Sequence, residues 1–320
     1  MKIRADVLRV SMLFVSVFLM VILCGVLAAE AKQTNLNDRG DVVWQGSDGH
    51  DYEIFLYSKG TVTQITDNDY DEWNPQINAK GQIVWYGFDG HDYEIFLYSK
   101  GTITQITHND YDDWDPRIND NGQIVWYGYD GHDREIYLYS KGAITQITHN
   151  DYDDWDPQIN AKGQIVWYGF DGNDYEIFLY SKGAITQITD NDYIDECPQI
   201  NSKGQIAWYG GDSREIFLYS KGNILQITDN GYHDYYPQIN SKGDIVWYGW
   251  KESQNEIFLY TKGTITQITD REYNDMDPQI NSRGQIVWQG FDGNDYEIFL
   301  YSKGNITQIT DNDDDDFLWD

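Results

Sequence analysis

Residues 71–107 read DEWNPQINAKGQIVWYGFDGHDYEIFLYSKGTITQIT, and close copies of this segment follow one another along the chain. The tryptophan of the GQIVW core recurs at Trp44, Trp85, Trp126, Trp167, Trp208, Trp247 and Trp288, spaced 41 residues five times and 39 once. Each copy holds four strand-forming runs, DEWNPQIN, GQIVWYG, YEIFLYS and TITQIT, divided by AKG and SKG turns and by longer loops. Ile-Val-Trp and Ile-Phe-Leu-Tyr are unbroken apolar runs, the pattern of strands buried on both faces. Blades stacked around an axis bury their sheets in this way. The period therefore predicts an all-β fold, a seven-bladed β-propeller of four-stranded antiparallel blades.

The six prolines, Pro75, Pro116, Pro157, Pro198, Pro237 and Pro278, share one place in the first strand of the repeat. Proline has no N–H for a central ladder, so this strand is expected at the innermost edge, lining the channel. Thr34 and Trp319 hold corresponding positions a whole number of repeats apart. The tail Asp315-Asp316-Phe317-Leu318-Trp319 is therefore expected to pair with Asn35-Leu36-Asn37, closing the ring through its N- and C-terminal segments and hiding two sheet edges. An open solenoid needs no such phase match.

Residues 1–31 differ from the repeats. Lys2, Arg4 and Arg9 precede an apolar stretch from Val10 to Ala29, and Ala29-Glu30-Ala31 offers a small-x-small cleavage site. This reads as a signal peptide, with the propeller over residues 32–320, no membrane span after cleavage and a secreted or periplasmic location. An uncleaved anchor is the alternative. With Cys24 in that segment and Cys197 alone, the mature chain has no internal disulfide. A net charge of −31 argues against nucleic acid as a partner. An aromatic content of 16% supplies a core that a disordered acidic chain lacks.

The order P-x-I-N-x-x-G-x-I-V-W, then E-I-F-L-Y, then Q-I-T resembles the repeat of TolB-type propellers, and the resemblance covers Thr34 to Asp320. It implies the fold and is nearly silent on activity. The chain departs from TolB in having no α/β domain before the repeats and in placing Asn-x-Lys-Gly where a serine-proline-aspartate turn is usual. TolB's partners are therefore not carried over.

In a four-stranded meander the turns alternate sides, and the charges follow. Lys59, Lys100, Lys141, Lys182, Lys221, Lys262 and Lys303, with Arg39, Lys80, Lys162, Lys203, Lys242 and Arg283, fall in the turns of one rim. Aspartates crowd the other, where Asp67, Asp69 and Asp71, Asp110 and Asp112, and Asp151 and Asp153 alternate along the crossovers as carboxylates do in some calcium loops. Calcium is thus a candidate cofactor, with turn capping as the plainer role of these aspartates. The same rim carries Tyr70, Tyr111, Tyr152, Tyr193, Tyr232 and Tyr273, with Trp73, Trp114 and Trp155 nearer the channel. Rings beside carboxylates suit sugar stacking or capture of a basic group.

Most serines fall on the basic rim and the six histidines on the acidic one, so a nucleophile and its base are a strand length apart. Cys197 takes the place of Asp115, Asp156 and Asp277 beside its proline, as a small packed residue at the channel. These observations predict a non-enzymatic module that binds a protein or glycan partner through its acidic, tyrosine-rich face. A multivalent lectin is one alternative. A polysaccharide lyase or hydrolase is another, since propellers resembling this one include pectin-fragment lyases that use histidines and a metal; His91, His108, His132 and His149 are then the residues at issue. Acidic face on basic face also allows self-association.

Overall fold

The computed structural model describes residues 33–37 and 39–311. The expected signal peptide and the tail 315–319 lie outside them. Seven four-stranded antiparallel sheets follow one another in a ring, each in the order a-b-c-d and each built from consecutive strands. In blade 2 these are Glu72–Ile77, Ile83–Phe88, Tyr93–Ser99 and Thr102–Gln105. The expected propeller is what forms, without a helix among the described residues. Blade 1 takes its innermost strand, Gln33–Leu36, from the N-terminal segment, pairing Thr34 with Trp44.

Strand b is buried on both faces, with Ile83, Val84 and Trp85 all 0% exposed, because its sheet lies between two others. Trp85 packs against Val43 and Ile54 of the preceding blade and stacks on Phe96 of its own, the rings 5.8 Å apart. Each such side chain withdrawn from water contributes about 1.5–3 kcal/mol. Six interfaces, from blades 1–2 to blades 6–7, carry this cluster.

The asparagine of P-x-I-N joins local and long-range order. Oδ1 of Asn160 accepts the N–H groups of Lys162 and Gln164, closing the a–b turn, while Nδ2 donates to the carbonyl of Asn201 in the next blade at 3.0 Å. Equivalent hooks start at Asn37, Asn78, Asn119, Asn201 and Asn240. Asn160→Ala leaves two part-buried turn donors and a carbonyl short of partners, and is expected to lower unfolding free energy by about 1–3 kcal/mol in denaturant titration.

The seam between blades 7 and 1 differs. Asn281 is exposed and its Nδ2 bonds Gln285 of its own turn. Val287 and Ile298 are partly exposed, whereas their counterparts Val246 and Ile257 are 0% exposed. No buried cluster spans this seam among the described residues.

Candidate functional site at the channel and its acidic mouth

The two rims form as the turn chemistry dictates. Each c–d turn is a two-residue Lys-Gly hairpin in which both residues adopt positive φ, 54° at Lys100 and 83° at Gly101, the geometry that matches strand twist. These lysines share one rim with the a–b turns. The b–c loops and the d-to-a crossovers form the other.

At the axis, strand a is bulged in blades 2 to 7, with the register shifting between Trp73 and Gln76 and at the five equivalent places. The bulged residues, Asn74, Asp115, Asp156, Cys197, Tyr236 and Asp277, have φ of 47–53°, a left-handed conformation costly for side chains with a Cβ. Bulges re-aim side chains. A cavity of about 290 Å³ opens between the innermost strands of blades 2 to 6, and five of these six residues line it with Arg117, Trp155 and Tyr168. Its polar groups are linked: Asn74 donates to Asp115 at 2.7 Å, Tyr127 donates to Asp115 at 3.0 Å, and Arg117 lies 3.8 Å from Asp156. Cys197 sits at the channel as expected, its sulfur 3.7 Å from the Tyr209 hydroxyl.

The mouth is ringed by the crossover tyrosines. Tyr70, Tyr111, Tyr152, Tyr193 and Tyr273 are 40–49% exposed, and Tyr232 is half-buried against Phe258. Tyr70, Tyr111, Tyr152 and Tyr273 each meet an aromatic residue of strand b edge-on, as Tyr70 meets Phe88 at 5.3 Å. The tryptophans are less available. Trp73 packs on Tyr52, Trp114 and Trp155 flank Tyr127, and the Arg134 guanidinium lies 4.2 Å over Trp155.

The predicted calcium residues are not gathered as expected. Asp71, Asp112 and Asp153 each accept a strand-c N–H, from Tyr52, Tyr93 and Arg134. They act as caps. Asp67, Asp69, Asp110 and Asp151 join none of the close carboxylate triples among the described residues. The triples form instead around the b–c loops, as Asp89, Asp92 and Glu94 do with carboxylate oxygens within 4.8 Å of one another. The signal was present in D-G-x-D-x-E, a spacing of three and two that a tight hairpin folds onto one side.

Sequence spacing also hid a second set of acids. Glu72, Asp113 and Asp154 are at most 4% exposed and accept the indole N–H of Trp85, Trp126 and Trp167. Burial pushes Glu72 up to about 7, and Asp113, Asp154 and Asp234 up to about 6. The folded chain thus keeps protons that the unfolded chain has released, so stability declines as pH rises from the ordinary carboxylate range through these values. At fixed ionic strength and without divalent cations, the melting temperature is expected to fall between about pH 5 and about pH 8. A rise over that interval would show these carboxyls to be ionised and well paired.

No serine hydroxyl is hydrogen-bonded to a histidine among the described residues. His233 Nδ1 lies 2.7 Å from the carbonyl of Ser213, not from its hydroxyl.

No protein-family model matches the chain, and no curated protein matches it. Solved structures do. The chain is similar to a Mycobacterium tuberculosis puromycin-hydrolyzing peptidase at 12% identity and a TM-score of 0.68, over 88% of this chain and 53% of that one. It thus spans about half the length of that peptidase. It is similar to the β-propeller domain of the Trilobed protease from Pyrococcus furiosus, which has an open velcro topology, at 14% identity and a TM-score of 0.64, over 88% of this chain and 98% of that one. TolB from Acinetobacter baumannii aligns with 66% of this chain and 57% of its own at 15% identity and a TM-score of 0.47. These likenesses establish a β-propeller and leave the TolB-type subclass aside. They also correct the expectation of a non-enzymatic binding module, since the two structures matched over 88% of this chain belong to a peptidase and a protease.

Proposed function

We propose that this chain is a peptidase-related propeller that draws basic peptides through its acidic mouth into the axial channel. The observation that carries the reading is the row of bulged residues, which turns Asp115 and Asp156 into the channel cavity in a strained conformation that strand pairing alone does not require. Likeness to peptidase propellers over 88% of the chain supports peptide as the ligand. A chain of net charge −31 attracts amino termini, lysines and arginines over a distance set by salt. Peptide hydrolysis is then the reaction of the complete machinery in which the ring works. The basic and apolar segment at residues 1–31 supports a site of action outside the cytoplasm, and the order of the repeat motif supports the TolB-type subclass.

Fluorescence anisotropy with short peptides of equal length tests this. Lysine- or arginine-containing peptides are expected to bind, glutamate-containing ones not, and added salt to weaken binding. Replacing Asp115 and Asp156 together by asparagine is expected to reduce affinity at least about tenfold, the loss of two close charge partners. Equal binding of acidic and basic peptides would refute the reading.

A further inference from the structure

In blades 2 and 3 the b–c hairpins hold buried carboxylates that each keep one oxygen without a hydrogen-bond partner. In blade 2, Asp92 is 8% exposed and Glu94 0%, yet Oδ1 of Asp92 and Oε2 of Glu94 have no hydrogen-bond partner. Asp133 and Glu135 repeat this in blade 3, also at 8% and 0%. The third oxygen of each triple comes from Asp89 or Asp130, the first aspartate of the D-G-x-D-x-E loop. The loop is held by its own backbone, the Asp89 N–H bonding the Asp92 carbonyl at 3.1 Å and the His91 N–H bonding Asp89 Oδ1 at 3.0 Å. Buried carboxylates with unpartnered oxygens are thus gathered with Asp89 or Asp130 on one side of a fixed hairpin.

We propose that the b–c hairpins of blades 1, 2, 3, 4 and 7 each bind a calcium-class divalent cation. Calcium takes oxygen ligands at about 2.3–2.6 Å, so two oxygens on opposite sides of one ion stand up to about 5 Å apart. The separation of at most 4.8 Å within each triple fits that span. Blade 1 uses Asp48, Asp51 and Glu53. In blades 4 and 7 the close triple is Asp171, Glu176 and Asp190, or Asp292, Glu297 and Asp311, with the crossover aspartate as third member.

Blades 5 and 6 serve as internal controls. In blade 6, Lys251 stands where blade 2 has Asp89, and its ammonium bonds Gln267 at 2.8 Å, as Gln105 bonds Asp89 at 3.0 Å. Gln254 replaces the second aspartate there. Blade 5 shortens the hairpin by two residues to Gly-Asp-Ser-Arg over 211–214. The two blades without a triple thus lack the first or second hairpin aspartate that the others use. This distribution separates a built site from the general acidity of the rim.

The test is a titration of the chelator-stripped full chain with calcium chloride, read by calorimetry and by equilibrium dialysis. The prediction is saturation near five ions per chain, with magnesium a weak competitor and the melting temperature raised on binding. The paired substitution Asp92→Asn and Glu94→Gln is expected to remove one ion and leave the circular dichroism spectrum unchanged. The single Asp92→Asn variant, a milder change, is expected to weaken one site at least about tenfold through loss of a charged ligand. Uptake without saturation, equal displacement by magnesium, or five ions still bound by the paired variant would each overturn the proposal in favour of a diffuse counterion layer. None of these readouts depends on peptide.

Discussion

Replacing Trp167 by alanine is expected to lower the unfolding free energy by about 3–5 kcal/mol, the usual cost of emptying a large aromatic site in a packed core. The indole is 1% exposed, fills the space between blades 3 and 4 against Val125, Ile136 and Ile147, and stacks on Phe178 at 5.8 Å. Its N–H donates to Asp154 at 2.8 Å, so alanine also leaves a buried carboxyl without its donor. Trp167→Phe separates the two losses, since it keeps most of the packing and removes the N–H. It is expected to cost about 1–3 kcal/mol, the range for orphaning one buried polar group. Denaturant unfolding followed by fluorescence and circular dichroism provides the comparison. An alanine variant within about 1 kcal/mol of the parent would mean that the core does not lie between the blades.

The second large effect concerns the seam. Trp44 stacks on Phe55 at 5.7 Å as the other tryptophans stack on their neighbours, yet it is partly exposed. Its counterparts Trp126, Trp167, Trp208 and Trp288 each donate to an aspartate thirteen residues earlier; for Trp44 that position is Ala31, which has no carboxylate. In the sequence, repeat phase sets Asp316, then Phe317, Leu318 and Trp319, at the corresponding positions, which lie outside the described residues. If the tail pairs there as the repeat predicts, deleting residues 312–320 is expected to destabilise the ring by on the order of 5 kcal/mol, the burial of a few apolar side chains. Asp316→Asn should cost less than the deletion. Identical unfolding midpoints for the deleted and complete chains would mean that the ring is held without its tail.

Architecture was legible because each blade repeats the same physical statement. Unbroken apolar runs ending in tryptophan require burial on two sides, Lys-Gly turns require a tight hairpin, and a proline in six of the seven repeats requires an edge. Charge sorting followed from turn alternation alone. The site was harder to read, for identifiable reasons. Asp67, Asp69 and Asp71 alternate as ligands would, but Asp71 is taken up in capping the Tyr52 N–H. The convergence of Asp89, Asp92 and Glu94 depends on a hairpin that folds residues three and two apart onto one side, a pattern that composition does not distinguish from solvated acid. Asp113 resembled any crossover aspartate until burial placed it against Trp126. Function was the least legible part, because aromatic and acidic residues on a rim suit sugars and peptides equally.

Cys197 offers a direct probe of the channel, since it lines the cavity beside Asp156 and Tyr236. Its alkylation rate can be followed by mass spectrometry while a lysine-containing peptide is added. Occupation of the channel predicts that alkylation slows in step with peptide binding and recovers when salt displaces the peptide. An alkylation rate at Cys197 that stays constant while the peptide is bound would contradict entry into the channel.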